Sequence, residues 1–219
     1  APVVFGLADG TTNNQTAITP LTRLTSFDNT LSWIHHDNVG YIFPEQGQIT
    51  GGGLLQKGNW NNIGTGNPLT SDQGRVFSAY FDHGIAPQNA TYQYIVVPDM
   101  SLDDFEAFTK NHDFEIIANT KSVQAVKRGN KYAVVFYEGA EVMMDDLKLS
   151  AGGPLMVLIV VKNDEYQVSI SDPTYRAARP VSLTLNKKLI GGTELSDGTK
   201  IELRTPSGDY TGSTVTNVY

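Results

Sequence analysis

Along its whole length the chain holds no apolar run longer than residues 154–161, and nearly every apolar run is closed within a few residues by Gly, Pro, Asn or Asp. Runs rich in Val, Ile, Thr, Tyr and Phe recur at 3–7, 16–24, 31–36, 40–43, 76–82 and 92–97. They resume at 114–118, 122–127, 131–136, 154–161, 165–171 and 181–185. Segments this short, bounded by turn residues, pair as neighbouring antiparallel strands, so the pattern predicts an all-β sandwich. Alternation supports it. Tyr92, Tyr94 and Val96 share one face of a strand, and Tyr132, Val134 and Phe136 share one face of another. Arg128-Gly129-Asn130 reads as a hairpin turn, and the last thirty or so residues carry turn signals with short strands between them.

One stretch has the other period. Ser101 is placed to cap the backbone of Asp104, and Leu102, Phe105 and Phe108 then fall on one stripe, which predicts a short helix over 101–111. Asp103, Asp104 and Glu106 in its first turns suit the positive end of the helix dipole. The helix ends near Asn111-His112, where a domain boundary is expected: residues 1–112 as one sandwich and 113–219 as a smaller one. No repeat of 20 to 50 residues is present, which argues against a solenoid or propeller.

Composition removes several function classes. There is no Cys, which excludes a disulfide scaffold and a Cys-ligated zinc. A formal charge of −7 with only 18% charged residues argues against nucleic acid or an anionic membrane as partner. No apolar run reaches the roughly 18 to 20 residues that span a bilayer. The polar surface is instead Thr, Asn, Gly and Tyr, a composition that suits extracellular β-proteins meeting carbohydrate. The chain starts at Ala1 without Met, and 1–7 is too short for a signal peptide, so the start reads as a cut within a longer protein.

Reactive constellations are sparse. His35 and His36 are adjacent and would point to opposite faces of a strand, while His83 and His112 lie far off, so no metal site is expected. His36 or His83 reads instead as a structural histidine beside Asp37 or Asp82. Gly51-Gly52-Gly53 lacks the Lys-Ser/Thr ending and the helix of a phosphate loop and reads as a bulge or hairpin tip, so no cofactor is expected. No Gly-x-Ser-x-Gly elbow exists, Ser171-Asp172-Pro173-Thr174 reads as a strand-ending turn, and the pairs Asp103-Asp104 and Asp145-Asp146 read as solvated. Trp33, Tyr41, Tyr92 and Tyr94 read as core. Trp60, in the polar stretch Gly58-Asn59-Trp60-Asn61-Asn62, is open to either packing or contact with a sugar, and Lys57 beside it to either solvent or a uronate carboxylate.

Several ordered motifs resemble polysaccharide lyase family 8, the hyaluronan, chondroitin and xanthan lyases. Trp33 to Pro44 is similar to its Trp-Ile-x-His-Asp-x-Val-Gly-Tyr-x-Phe-Pro motif, and Gly58, Trp60 and Ile63 to its Gly-x-Trp-x-x-Ile. Asp82-His83-Gly84 leading to Tyr92-x-Tyr94-x-x-x-Pro98 follows, then Asn119-Thr120-x-x-Val123-Gln124-Ala125-Val126, then Ser171-Asp172-Pro173-Thr174. The resemblance implies the second half of a galactose-mutarotase-like supersandwich followed by the C-terminal β-sandwich. It implies a secreted or periplasmic bacterial parent that depolymerises an acidic polysaccharide by β-elimination. In that family a Tyr removes the proton while Asn, His and Arg neutralise the carboxylate, all on an N-terminal helical domain, with a supporting Glu early in the β-region. None of these maps onto the chain. The expectation is therefore a scaffold and cleft wall without catalytic residues, partnered by the missing helical domain, with Lys57 and Trp60 as candidate carbohydrate contacts. The alternative is a non-catalytic carbohydrate-binding module; a mutarotase-like sugar isomerase is a third reading, disfavoured by the placement of His36 and His83 on strands.

Overall fold

The computed structural model describes residues 2–15, 24–45, 47–64, 71–175 and 180–219. The chain divides into two compact units, Ala1–His112 and Asp113–Tyr219. In the first, the strands are β1 (Val3–Leu7), β2 (Thr12–Gln15), β3 (Thr25–Asp28), β4 (Leu31–His36), β5 (Val39–Ile42), β6 (Gln48–Asn59), β7 (Ser71–Phe81) and β8 (Ile95–Val97). The helix α1 (Leu102–Asn111) closes it.

Five strands form an antiparallel sheet in the order β2-β1-β4-β5-β8, and three form another in the order β3-β6-β7. The five-stranded sheet is covered on both sides. Val3, Phe5, Leu31, Ile34 and Phe43 pack against Phe27 and Ile49 of the three-stranded sheet, while Val4, Trp33, Ile42 and Val97 pack against Phe105 of the helix. A register shift between Gly6 and Leu7 skips Ser32, so Leu31 and Trp33, two residues apart, serve opposite clusters. Gly6 has no room for a side chain: a Cβ there would lie 1.9 Å from the Trp33 ring.

The helix forms as its sequence predicts. The Asp104 N–H donates to Ser101 Oγ at 3.2 Å, Phe105 is fully buried, and Leu102 and Phe108 pack beside it. Only one of the two adjacent histidines meets the helix segment. His35 is buried beside Phe105 and its Nε2–H donates to the Met100 carbonyl at 2.9 Å, whereas His36 packs on Phe77 and its Nδ1–H donates to the Pro2 carbonyl at 3.2 Å.

The second unit contains β9 (Phe114–Asn119), β10 (Val123–Arg128), β11 (Lys131–Phe136), β12 (Ala140–Met144), β13 (Leu147–Ala151), β14 (Leu155–Lys162), β15 (Glu165–Ser171), β16 (Pro180–Leu185), β17 (Thr193–Leu195), β18 (Gly198–Arg204) and β19 (Val215–Val218). A six-stranded sheet, β19-β15-β14-β11-β10-β9, and a five-stranded sheet, β12-β13-β16-β18-β17, enclose one core. Alternate residues supply it: Leu155, Val157 and Ile159 from β14, Val181, Leu183 and Leu185 from β16. Asp145 and Asp146, expected as solvated, are exposed and also paired: Asp145 ties the two sheets together at one end, and Asp146 links segments of the five-stranded sheet. Asp145 accepts from Lys127 Nζ at 2.7 Å and from the Tyr132 hydroxyl at 3.2 Å, while Asp146 pairs with Lys187. Ser171-Asp172-Pro173-Thr174 is a strand-ending turn, with buried Asp172 accepting from the Thr174 N–H at 2.8 Å.

Three local expectations need correction. The glycines at 51–53 are not a hairpin tip: they lie within the twelve-residue strand β6, paired in unbroken register with β7. Only Ile95–Val97 of the expected 92–97 run is a strand, so Tyr92 and Tyr94 stay 59% and 49% exposed instead of entering the core. His83, expected on a strand, lies beyond the end of β7 at Phe81, where it is exposed and stacks on Phe81 while the Asp82 carboxylate accepts from the Gly84 N–H. Of the two histidines read as structural, His36 is the one with a hydrogen bond among the described residues. The strand expected over 16–24 falls almost entirely outside the described residues.

Candidate functional site

The three-stranded sheet builds the candidate site through a mismatch of strand lengths. β6 and β7 pair continuously from Ile49↔Phe81 to Asn59↔Ser71, but β3 pairs only with Gln48 through Gly51. Beyond Gly53 the two long strands pair with no third strand among the described residues and form a ribbon. Strand alternation assigns its faces. Ile49, Phe77 and Phe81 point into the core, so Leu55, Lys57, Gln73 and Arg75 continue that same face outward. Leu54, Gln56, Asp72 and Val76 occupy the other.

Lys57 lies on β6 directly opposite Gln73 and is exposed. Trp60 begins a short 3₁₀ turn, Trp60–Asn62, which is capped by Asn59, whose side chain accepts from the Asn61 N–H at 2.8 Å. The indole is 53% exposed, and its Nε1–H donates to Asp72 Oδ2 at 3.0 Å. Asp72 stands opposite Gly58, on the face away from Lys57. The two carbohydrate candidates are thus near in sequence but anchored to opposite faces of the ribbon. Arg75, opposite Leu55 and exposed, shares the Lys57 face and had not been singled out. The signal for it in the sequence is the period of two counted back from Phe77, which a bulge or hairpin tip at 51–53 would disconnect from Lys57.

A second exposed feature is aromatic. Phe81, His83, Tyr92 and Tyr94 form a run of neighbouring rings with centroids 5.6 to 6.4 Å apart. Two of them, Phe81 and Tyr94, line a groove of about 430 Å³ together with Tyr41, Phe43, Phe77 and Tyr80 among others. Among the described residues no group of three His, Asp or Glu gathers to hold a metal ion, and no helix is long and apolar enough to cross a membrane.

This architecture, a helix-backed sheet facing a shorter one with a separate sandwich after it, is that of the β-domains of polysaccharide lyases. Two family models match the chain: the polysaccharide lyase family 8 super-sandwich domain over residues 6–109, and the family 8 C-terminal beta-sandwich domain over residues 115–179. The chain belongs to polysaccharide lyase family 8. It is 27% identical over 185 residues to the chondroitinase-AC of Pedobacter heparinus, which covers 84% of this chain and 26% of that protein. It is 24% identical over 175 residues to the xanthan lyase of Bacillus sp. strain GL1, covering 74% of this chain and 18% of that protein. Among solved structures, a chondroitinase AC lyase studied with oligosaccharides superposes with a TM-score of 0.78 at 24% identity, over 99% of this chain and 30% of that one. A Paenibacillus xanthan lyase gives 0.79 at 18% identity, over 98% and 22%. The chain thus spans under a third of the length of each of these relatives.

Proposed function

We propose that the chain is the β portion of a secreted or periplasmic bacterial lyase that cleaves a uronate-containing polysaccharide by β-elimination. It supplies scaffold and one wall of the substrate cleft, with the eliminating residues on a helical domain. The observation that carries the reading is the pair of matches to the family's super-sandwich and C-terminal domains. Relatives named for chondroitin, hyaluronate and xanthan support the acidic substrate class.

The chemistry of the described residues agrees with this division of labour. β-Elimination needs a base to remove the proton beside the uronate carboxylate and cations to stabilise the charge that forms. Tyr132, held beside Lys127 and Asp145, is pushed the wrong way for a base. Burial raises its phenol first, and the hydrogen bond to Asp145 raises it further. Purified chain mixed with chondroitin, hyaluronan or xanthan is expected to give no rise in the ultraviolet absorbance of unsaturated uronate. A rise would overturn the reading. Exposure of Trp60 and Lys57 favours a second reading, a carbohydrate-binding module without chemistry, for which glycan binding lost on Trp60→Ala is the expected result.

A further inference from the structure

The first unit is poor in cations. Residues 1–112 contain four Lys or Arg: Arg23, Lys57, Arg75 and Lys110. Two of the four stand together on one face of the β6–β7 ribbon. Because Lys57 faces Gln73 and Leu55 faces Arg75, the two cations are diagonal neighbours, with Cβ atoms roughly 7 Å apart in an antiparallel pair. Both are exposed. Every ion pair among the described residues lies in the second unit, from Lys127–Glu115 to Lys200–Glu202, so neither Lys57 nor Arg75 is neutralised by a described carboxylate. The nearest acid in register, Asp72, is on the opposite face and engaged by the Trp60 indole.

Two uncompensated cations on one face of a chain with net charge −7 raise the local potential where most of the molecule lowers it. Like charges on neighbouring strands repel each other unless an anion joins them. Leu55, 39% exposed, lies in line with them and offers an apolar contact for the C–H face of a sugar. Arg75 presents a planar fork and Lys57 a mobile point charge, a combination that holds a carboxylate or a sulfate ester.

We propose that the ribbon face formed by Leu55, Lys57, Gln73 and Arg75 is an anion-reading subsite, at which the two cations grip a uronate carboxylate or sulfate ester of an extended acidic polysaccharide. The assignment rests on the lyase reading and deepens it by naming which face of the ribbon meets the substrate.

The test is calorimetric binding of the 219-residue chain to a hyaluronan oligosaccharide, to the same oligosaccharide with its carboxyls methyl-esterified, and to a chondroitin sulfate oligosaccharide. Lys57→Gln and Arg75→Gln should each weaken hyaluronan binding by about three- to tenfold, the scale of one exposed charge-assisted hydrogen bond. Lys57→Arg should restore it. Binding of the esterified oligosaccharide should be weak and unmoved by these changes. If the subsite reads sulfate, chondroitin sulfate will show the larger loss; if it reads carboxylate, hyaluronan will.

Two substitutions of equal net charge separate a local site from a general field. Gln73→Glu places a carboxylate directly opposite Lys57 and should reproduce the loss, while Gln56→Glu on the other face should leave affinity within about twofold. Equal losses for both, or wild-type affinity in the Lys57 and Arg75 variants, would overturn the subsite while leaving the polysaccharide reading intact. Failure of the unaltered chain to bind hyaluronan, chondroitin sulfate or xanthan would overturn the subsite and the cleft-wall reading together.

Discussion

Gly40→Ala is the substitution for which the packing makes the sharpest demand. A Cβ at that position would lie 2.0, 2.3 and 2.4 Å from Cε2, Cδ2 and Cζ of Phe105. Carbon atoms in contact normally stand about 3.5 to 4.0 Å apart, so the ring would have to retreat by about 1.5 Å. Phe105 is fully buried, with its ring 5.4 Å from Trp33 and 5.4 Å from His35. It therefore cannot retreat without taking the helix with it, and Leu102 and Phe108 would lift as well. Overpacking a well-ordered core costs about 1 to 3 kcal/mol, and a site that must displace a helix belongs at the upper end, near 3 kcal/mol. Urea unfolding followed by tryptophan fluorescence reads this directly, because Trp33 and Trp60 are the only tryptophans and both lie in the first unit. Pairing Gly40→Ala with Phe105→Leu, which withdraws the ring edge, should cost at least about 1 kcal/mol less than the two single changes added. Gly53→Ala is the control, since nothing lies within 4 Å of its Cβ position and the backbone there needs no glycine. A loss below about 0.5 kcal/mol in Gly40→Ala, or strict additivity in the pair, would refute the packing argument.

In the second unit the same logic applies to Gly198. A Cβ there would lie 1.9 Å from the Leu185 carbonyl oxygen, so Gly198→Ala should destabilise the unit by 2 kcal/mol or more on the scale of about 1 to 3 kcal/mol for overpacking, read by far-ultraviolet circular dichroism; a neutral result would remove the close approach. The Lys127–Asp145 pin gives a pH dependence whose sign is fixed. The hydrogen bond from Lys127, aided by its charge, holds the Asp145 carboxyl below its ordinary range. Its contribution is present above the unfolded carboxylate pKa of about 3.9 and is lost as pH falls through the lower folded value. The same hydrogen bond raises the Lys127 ammonium, so that half is present below the unfolded lysine pKa of about 10.4 and lost as pH rises through the higher folded value. Lys127→Met should therefore flatten both limbs of the urea midpoint against pH. It should not abolish the acid limb, because Lys187 still lowers Asp146; an unchanged acid limb would sink the assignment.

The sequence was readable wherever a local signal and the tertiary partner agreed. Ser101 announces its helix because the cap, the acidic first turn and the Leu102, Phe105 and Phe108 stripe all lie within residues 101–108. The second sandwich was legible for a similar reason, since strands such as 131–136 and 154–161 are rich in β-branched residues and pair with neighbours. The failures share a cause: the deciding partner was distant in sequence. Tyr92 and Tyr94 alternate as a strand should, but antiparallel pairing of Ile95 with Ile42 would set Tyr94 against Phe43. The Phe43 N–H is already given to Ser32, and Pro44 next to it has none to give. The strand stops for want of a partner.

The glycines at 51–53 mislead in the opposite direction. Glycine is depleted in strands because it packs nothing, yet Gly51 sits where a Cβ would come within 3.3 Å of Ile34 Cδ1 on the facing sheet, and Gly52 holds a φ of 141°. Close approach of two sheets asks for small residues there, which is a tertiary requirement and leaves no local mark. The candidate site inherited that error. With a turn at 51–53, Lys57 and Arg75 belong to unrelated segments; with β6 continuous, the register sets them diagonally on one face and turns Trp60 to the other. The continuity of β6 through three glycines thus holds the two cations together and apart from the indole, which is why affinity changes at Lys57 and at Trp60 should report on different faces of the ribbon.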